Sequence, residues 1–338
     1  MKINNIIKKI FSNKSLSITE SEFLFMKILE NSLAPELVSS VLSMLSFRSE
    51  TFEEIFGAVK YLKKKSKKII FEADTIDTCG TGGDNKNSFN LSTATSILCA
   101  ALDLKVVKHG NRSVTSKSGS IDVLEKLGIK ISESDSEIKK LFKKSGICFL
   151  FAPNFHPILK NIAPIRKILP FRTIFNLLGP LLNPSKIKYQ LIGVTEEKFL
   201  QTHSKCLTRA NQKESWVVTN KDGFDELTTT SPNLIVKIVK NKIKKKMTIK
   251  PDELGFKYCK ISDLKGGDSE ENAFIMHRLF DGETGAIRDN VLLNTAACLK
   301  MTKKVKNFNE GIELAAKYID NFAAKKKLED IKSISKKL

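Results

Sequence analysis

The feature that most constrains the fold is a stretch, Thr75 to Cys79, that reads as a strand and passes directly into Gly80-Thr81-Gly82-Gly83-Asp84. Closely spaced glycines after a strand let backbone amides approach an anion where side chains would block it. Taken alone, the glycines fit a tight strand-to-helix turn equally well. Further short apolar runs at Lys105 to Lys108, Ile147 to Phe151, Tyr189 to Val194 and Trp216 to Thr219 alternate with helix-like stretches such as Thr93 to Leu102 and Ile121 to Leu127. That alternation predicts an α/β fold with a mainly parallel sheet flanked by helices.

Upstream, from Ser17 to Leu62, apolar residues recur at helical spacing throughout. Thr19 with Glu22, and Thr51 with Glu54, have the spacing of capping boxes. Pro35 fits the first turn of another helix, whose apolar positions are Leu37, Val41, Leu42 and Leu45. Met1 to Asn13 reads as an amphipathic helix, without the apolar run and small-residue cleavage site of a secretory signal. We expect a small all-helical domain over residues 1–66 and a larger α/β domain over residues 67–338, divided near the lysine-rich stretch Lys63 to Lys68. The proline-rich segment Pro153 to Pro184 interrupts the alternation, and we expect a helical excursion around residues 155–185 that returns to the small domain. Leu234 to Ile249 alternates apolar residues with lysines like an exposed β-hairpin protected by charge. From Asn272 onward the pattern is helical.

With 338 residues and 41% hydrophobic content the chain can build a large core, while its longest apolar stretches fall short of a membrane span. Six scattered cysteines without close pairs argue against a zinc site or a disulfide framework, so we expect free thiols and a cytoplasmic location. The net charge of +20 raises a nucleic-acid partner or an anionic substrate as explanations. The basic runs at Lys63 to Lys68, Lys237 to Lys250 and Lys325 to Lys327 lie far apart without interleaved stacking aromatics, so we read the charge as lysine bias and expect no nucleic-acid partner.

Two further segments suit an anion. Asn90-Leu91-Ser92-Thr93 places small polar groups at the start of a helix, where backbone N–H groups are free. Lys108-His109-Gly110-Asn111-Arg112-Ser113, followed by Ser116, Lys117, Ser118, Gly119 and Ser120, combines cations, hydroxyls and glycines. In this order and spacing the three segments resemble the anthranilate phosphoribosyltransferase family. The likeness continues through Ala152-Pro153-Asn154-Phe155-His156-Pro157, Ala163-Pro164-Ile165-Arg166, Arg172 to Pro184, Asp225-Glu226-Leu227 and Glu271-Asn272-Ala273, and more weakly through Glu50 to Ala58.

The resemblance implies transfer of the phosphoribosyl group of 5-phosphoribosyl 1-diphosphate to the amine of anthranilate, in tryptophan biosynthesis, with Mg2+ as cofactor and a homodimer as the assembly. It implies that the sugar diphosphate meets Gly80, Gly83, Asp84, Ser88, Asn90, Leu91, Ser92, Thr93, Lys108, His109, Gly110, Asn111, Arg112, Ser113, Val114, Thr115, Ser116 and Ser120. Of these, Lys108, Asp84 and Asn90 are the expected catalytic residues. Ser92, Asp225 and Glu226 are the implied magnesium ligands, and Gly80, Asn111, Arg166, His109 and His156 the implied anthranilate contacts.

The residue chemistry agrees with these roles. Adjacent carboxylates are the hard oxygen ligands that magnesium prefers, although such pairs are also common on surfaces. A guanidinium fork can hold a carboxylate, and alone Arg166 would be read as half of a surface ion pair. His109 suits a base, but a packed histidine at least as well, and base catalysis is not expected of it. An aromatic amine is neutral and already nucleophilic at pH 7, so stabilisation of the leaving diphosphate should dominate. A pyrimidine nucleoside phosphorylase is the nearest alternative, but a nucleoside has no use for the Asp225-Glu226 pair or for Asn111 with Arg166. Four positions depart from the family pattern: Ser88 where threonine is common, Arg48-Ser49 for a usual Lys-Gly, and Ala286 after Gly285 where proline is typical.

Overall fold

The structure is a computed structural model and describes residues 2–83, 86–113 and 117–338. Asp84, Val114, Thr115 and Ser116, which the sequence assigns to the diphosphate site, lie outside the described residues.

Four helices open the chain: α1 (Ile3–Phe11), α2 (Ile18–Leu29), α3 (Pro35–Phe47) and α4 (Phe52–Lys65). The Thr51–Glu54 capping box is present at the start of α4. At α2 the box is instead Ser17 with Glu20, two residues before the expected pair. The segment Ser17-Ile18-Thr19-Glu20-Ser21-Glu22 contains the pattern twice, and charge pairing separates the two versions. Glu20 accepts from Lys9 at 2.9 Å, whereas Glu22 points away to pair with Lys60 at 2.7 Å.

The sheet contains β1 (Thr75–Gly80), β2 (Lys105–Gly110), β3 (Ile147–Phe151), β4 (Tyr189–Gly193), β5 (Glu214–Asn220), β6 (Asn233–Val239), β7 (Lys242–Ile243) and β8 (Met247–Ile249). Its order is β3-β2-β1-β4-β5-β6, parallel as far as β5 and antiparallel beyond, with β7 and β8 both pairing with β6. The expected hairpin is therefore real, turning through Lys240 and Asn241 at φ 48 and 62. Its first strand is not an exposed edge. Residues 233–236 are buried because β6 lies against β5, and the lysines cluster at the tip and the outer strands.

Period-2 side-chain alternation divides the core. On β4 and β5, Leu191, Trp216 and Val218 face one cluster, which includes α5 (Leu91–Ala101) and the helix Ala286–Met301. Ile192 and Val217 face another, shared with α1 to α4, the segment Ile174 to Leu182 and the helix Glu197–Leu207. Residues of the 155–185 segment thus pack in the same core as the N-terminal helices.

The order also creates a switch point. The chain leaves β1 toward β2 on one side and leaves β4 toward β5 on the other, so a crevice opens at the carboxyl ends of β1 and β4. Gly80 and Gly193 end those strands and are paired in register.

Candidate functional site

A cavity of about 290 Å3 occupies this crevice. The β1 end supplies Gly80, Thr81, Gly82 and Gly83, the last two at φ +69 and +73, a left-handed backbone that favours glycine. The Thr81 amide donates to the Gly193 carbonyl at 3.0 Å, and the Gly82 amide donates to Oδ2 of Asp225 at 2.6 Å. The acidic pair is thereby held over the glycine turn, and both Asp225 and Glu226 line the cavity.

Lys108 comes from the end of β2 and is buried, its Nζ donating to the Thr78 carbonyl at 2.7 Å and to Ser92 Oγ at 3.2 Å. Asp77 lies beneath it, fully buried, accepting from the His109 amide at 3.2 Å and from Asn183 Nδ2 at 2.9 Å. Burial pushes the Asp77 carboxyl up to about 6, against the pull of Lys108 and the Asn183 hydrogen bond. The loop after β2 brings Gly110, Asn111, Arg112 and Ser113 to the cavity, with Gly119 and Ser120 opening α6 (Ser120–Lys126). Asp122 accepts from the Ser113 and Gly119 amides at 2.8 and 2.9 Å, closing that loop on itself.

The opposite wall comes from the proline-rich excursion. His109 and His156 meet edge to face at 5.6 Å, and His156 Nε2 lies 2.8 Å from the Leu182 carbonyl. Burial lowers both rings, His109 to about 3 with His156 adding to the effect, and His156 to about 4. Both are therefore neutral at pH 7, so a protonated histidine is not the electrostatic element of this site. Arg166 is half-buried over the Phe175 ring at 5.7 Å, and it forms no ion pair among the described residues. Phe175, Leu159, Leu178 and Leu182 make that side apolar. Several polar atoms around the cavity are buried without a hydrogen-bond partner among the described residues: Thr81 Oγ1, Asn90 Oδ1, His109 Nε2 and His156 Nδ1. Orphaned polar atoms around a cavity indicate that a polar ligand completes it.

Known proteins give the same picture. Residues 4–66 match the helical bundle domain, and residues 72–325 the a/b domain, of the Glycosyl transferase family. The anthranilate phosphoribosyltransferase of Petrotoga mobilis is 42% identical over 329 residues, covering 97% of this chain and 95% of that one. The chain belongs to the anthranilate phosphoribosyltransferase family. The Thermoanaerobacter enzyme of that name is 40% identical, covering 99% of each chain. The crystal structure of the Thermus thermophilus anthranilate phosphoribosyltransferase has a TM-score of 0.89 at 32% identity, covering 98% of this chain and 99% of that one. The Saccharomyces cerevisiae enzyme, solved in complex with PRPP and Mg, has a TM-score of 0.89 at 27% identity, covering 99% and 98%.

In this anthranilate phosphoribosyltransferase family member most of the residues singled out from the sequence line one cavity. Gly80, Gly83, Asn90, Ser92, Lys108, His109, Gly110, Asn111, Arg112, Ser113, Ser120, His156, Arg166, Asp225 and Glu226 all do so. Three others do not. Leu91 and Thr93, on α5, are buried, and Ser88 forms a bridge with Lys265. Arg112 is engaged by Glu125 at 2.7 Å. Sequence reasoning missed Thr81, Asn176 and the apolar wall of Leu159, Phe175, Leu178 and Leu182. The apolar periodicity around Phe175 was visible, but it says only that the side chains are covered and not which of them face a cavity.

Proposed function

We propose that this chain transfers the phosphoribosyl group of 5-phosphoribosyl 1-diphosphate to the amine of anthranilate, giving N-(5-phosphoribosyl)anthranilate and diphosphate, as a step of tryptophan biosynthesis. The observation that carries the reading is one cavity with two unlike sides. The glycine turn, Ser92 and Lys108 line one, which suits a polyanion; Arg166 and an apolar wall line the other, which suits an aromatic carboxylate.

In this reading Gly80, Gly83, Asn90, Ser92 and Lys108 hold the sugar diphosphate, with the loop from His109 to Ser113 and Ser120 beside it. Asn90 Oδ1, unpartnered among the described residues, offers an acceptor to a sugar hydroxyl. Arg166 fixes the carboxylate of anthranilate, while Asn111, His109 and His156 border its approach. As the bond from ribose C1 to diphosphate breaks, Lys108 stabilises the charge on the leaving group. No residue has to remove a proton before attack, which accords with two neutral histidines.

Magnesium fits the acidic pair. Asp225, Glu226 and the Ser92 hydroxyl are hard oxygen donors on one cavity. An incomplete set of this kind suits Mg2+, which takes one or two carboxylates and completes its octahedron with water and substrate phosphate. When bound it would neutralise charge on the diphosphate.

The same reading gives two domains, residues 1–66 and 67–338, in a cytoplasmic homodimer. Exposed Phe47 on α3, with Ile168 and Phe171 in the excursion that packs beside the helices, supports a dimer contact there. Six free cysteines agree with a reducing compartment. No helix among the described residues is long and apolar enough to cross a membrane.

The test is 31P NMR of the full-length protein with Mg2+. Diphosphate should appear only when 5-phosphoribosyl 1-diphosphate and anthranilate are present together. Cleavage of pyrimidine nucleosides by inorganic phosphate, without diphosphate release from the first mixture, would favour a nucleoside phosphorylase instead.

A further inference from the structure

The Pro180 to Pro184 segment has a second cavity beside it. Gly179 and Leu182 line the active-site cavity, whereas Leu181 and Asn183 line another of about 280 Å3, walled by α4 and the helix Glu197–Leu207. Five cations surround it, Lys60, Lys63, Lys68, Lys186 and Arg209, and no carboxylate lines it among the described residues. Glu22 satisfies Lys60 at 2.7 Å. The other four form no ion pair among the described residues.

A lysine-biased composition leaves charges on solvated faces, and Lys68, Lys186 and Arg209 are exposed accordingly. Lys63 is different. It is half-buried, and burial depresses its ammonium, with the Cys206 thiol opposing and Lys68 adding to the depression. A cation withdrawn from water without a counter-charge is costly, and an anion entering the cavity would offset that cost. The buried lining is largely apolar, with Val59, Leu181, Ile187 and Leu207 forming it beside the polar Asn183, Ser185 and Gln190.

We propose that this cavity is a second ligand site, distinct from the active site, for a small phosphate monoester with an apolar body. Lys63 meets the phosphate at depth, Lys68, Lys186 and Arg209 neutralise its second charge at the rim, and the apolar floor takes the organic part. Asn183 belongs to this wall and also holds Asp77 at 2.9 Å beneath Lys108, so the two sites share a structural element.

Calorimetric titration of the full-length protein with phenyl phosphate tests the proposal. Binding should saturate at one site per chain, and it should persist both with saturating Mg2+ and 5-phosphoribosyl 1-diphosphate and in Lys108→Ala. Lys63→Gln should weaken it by about tenfold or more, the value of one charge-assisted hydrogen bond. Lys63→Arg should retain it. The exposed pair Lys186→Gln with Arg209→Gln, which does not disturb the core, should weaken it similarly. The proposal is overturned by absence of saturable binding, by displacement with the sugar diphosphate, or by binding that survives both sets of glutamine substitutions.

Discussion

The Gly82 amide donates to Asp225 Oδ2 at 2.6 Å, joining the glycine turn to an acidic pair 143 residues further along the chain. The strand ends beneath are glycine because Asp225 leaves no room for more. A Cβ on Gly80 would stand 2.1 Å from Asp225 Oδ2, and one on Gly193 would stand 1.5 Å from the Asp225 carbonyl oxygen. The first clash is with the end of a side chain and the second with backbone.

Gly193→Ala should therefore be the more damaging of the two. We expect it to cost about 1–3 kcal/mol of stability, as overpacking does, and to lower activity by displacing Asp225. Gly80→Ala should chiefly raise the Mg2+ concentration needed for half-maximal rate. Urea melts and magnesium titrations of both variants check the order; equal loss of stability in the two would contradict it.

Arg166, on the helix Ala163–Ile168, and Lys108, on β2, line the cavity from different elements, so their substitutions should separate. Arg166→Ala should raise KM for anthranilate with a smaller effect on kcat. Lys108→Ala should slow turnover or weaken the sugar diphosphate, at a cost on the order of 3 kcal/mol, roughly a hundredfold in rate. Steady-state kinetics with each substrate varied in turn is the measurement, and matched effects of both changes on both substrates would dissolve the assignment.

The buried histidines make a pH prediction for stability. His109 and His156 are lowered from 6.5 to about 3 and about 4, so below pH 6.5 the unfolded chain takes up protons that the folded protein does not. Their contribution is complete above pH 6.5 and is lost as pH falls, at about 2 kcal/mol per histidine by pH 5. Asp77 works the other way: raised to about 6, it favours the folded state below its ordinary value of 3.8, a contribution lost as pH rises through about 6. Denaturation midpoints at pH 7 and 5 should therefore fall less in His156→Gln than in the parent protein. An equal fall would show that this ring is not held neutral.

Much of this was legible in the sequence, because it rests on local chemistry. Strands β1 to β5 follow from short apolar runs between turn residues, and Thr51 with Glu54 from a pattern closed within four residues. What could not be read depends on distant neighbours. Ser17 rather than Thr19 caps α2 because Lys9 and Lys60 choose between the two glutamates. β6 is buried because β5 receives it, which alternation along one strand cannot say. The glycine turn was visible, its tie to Asp225 was not, and neither was the contact of Asn183 with Asp77.

Ser49 adopts φ 63, and a side chain in the left-handed region costs about 1–2 kcal/mol. Ser49→Gly should raise the denaturation midpoint by part of that amount, reduced by the greater freedom of glycine in the unfolded chain, and leave kcat unchanged. A lower midpoint would mean that the serine side chain is held by the fold.

The central claim is tested most directly by anthranilate fluorescence. With the full-length protein, Mg2+ and saturating 5-phosphoribosyl 1-diphosphate, the signal should decay to completion, stop on addition of EDTA and resume with excess magnesium. A signal that stays constant under those saturating conditions, in a protein shown to be folded, would contradict the account.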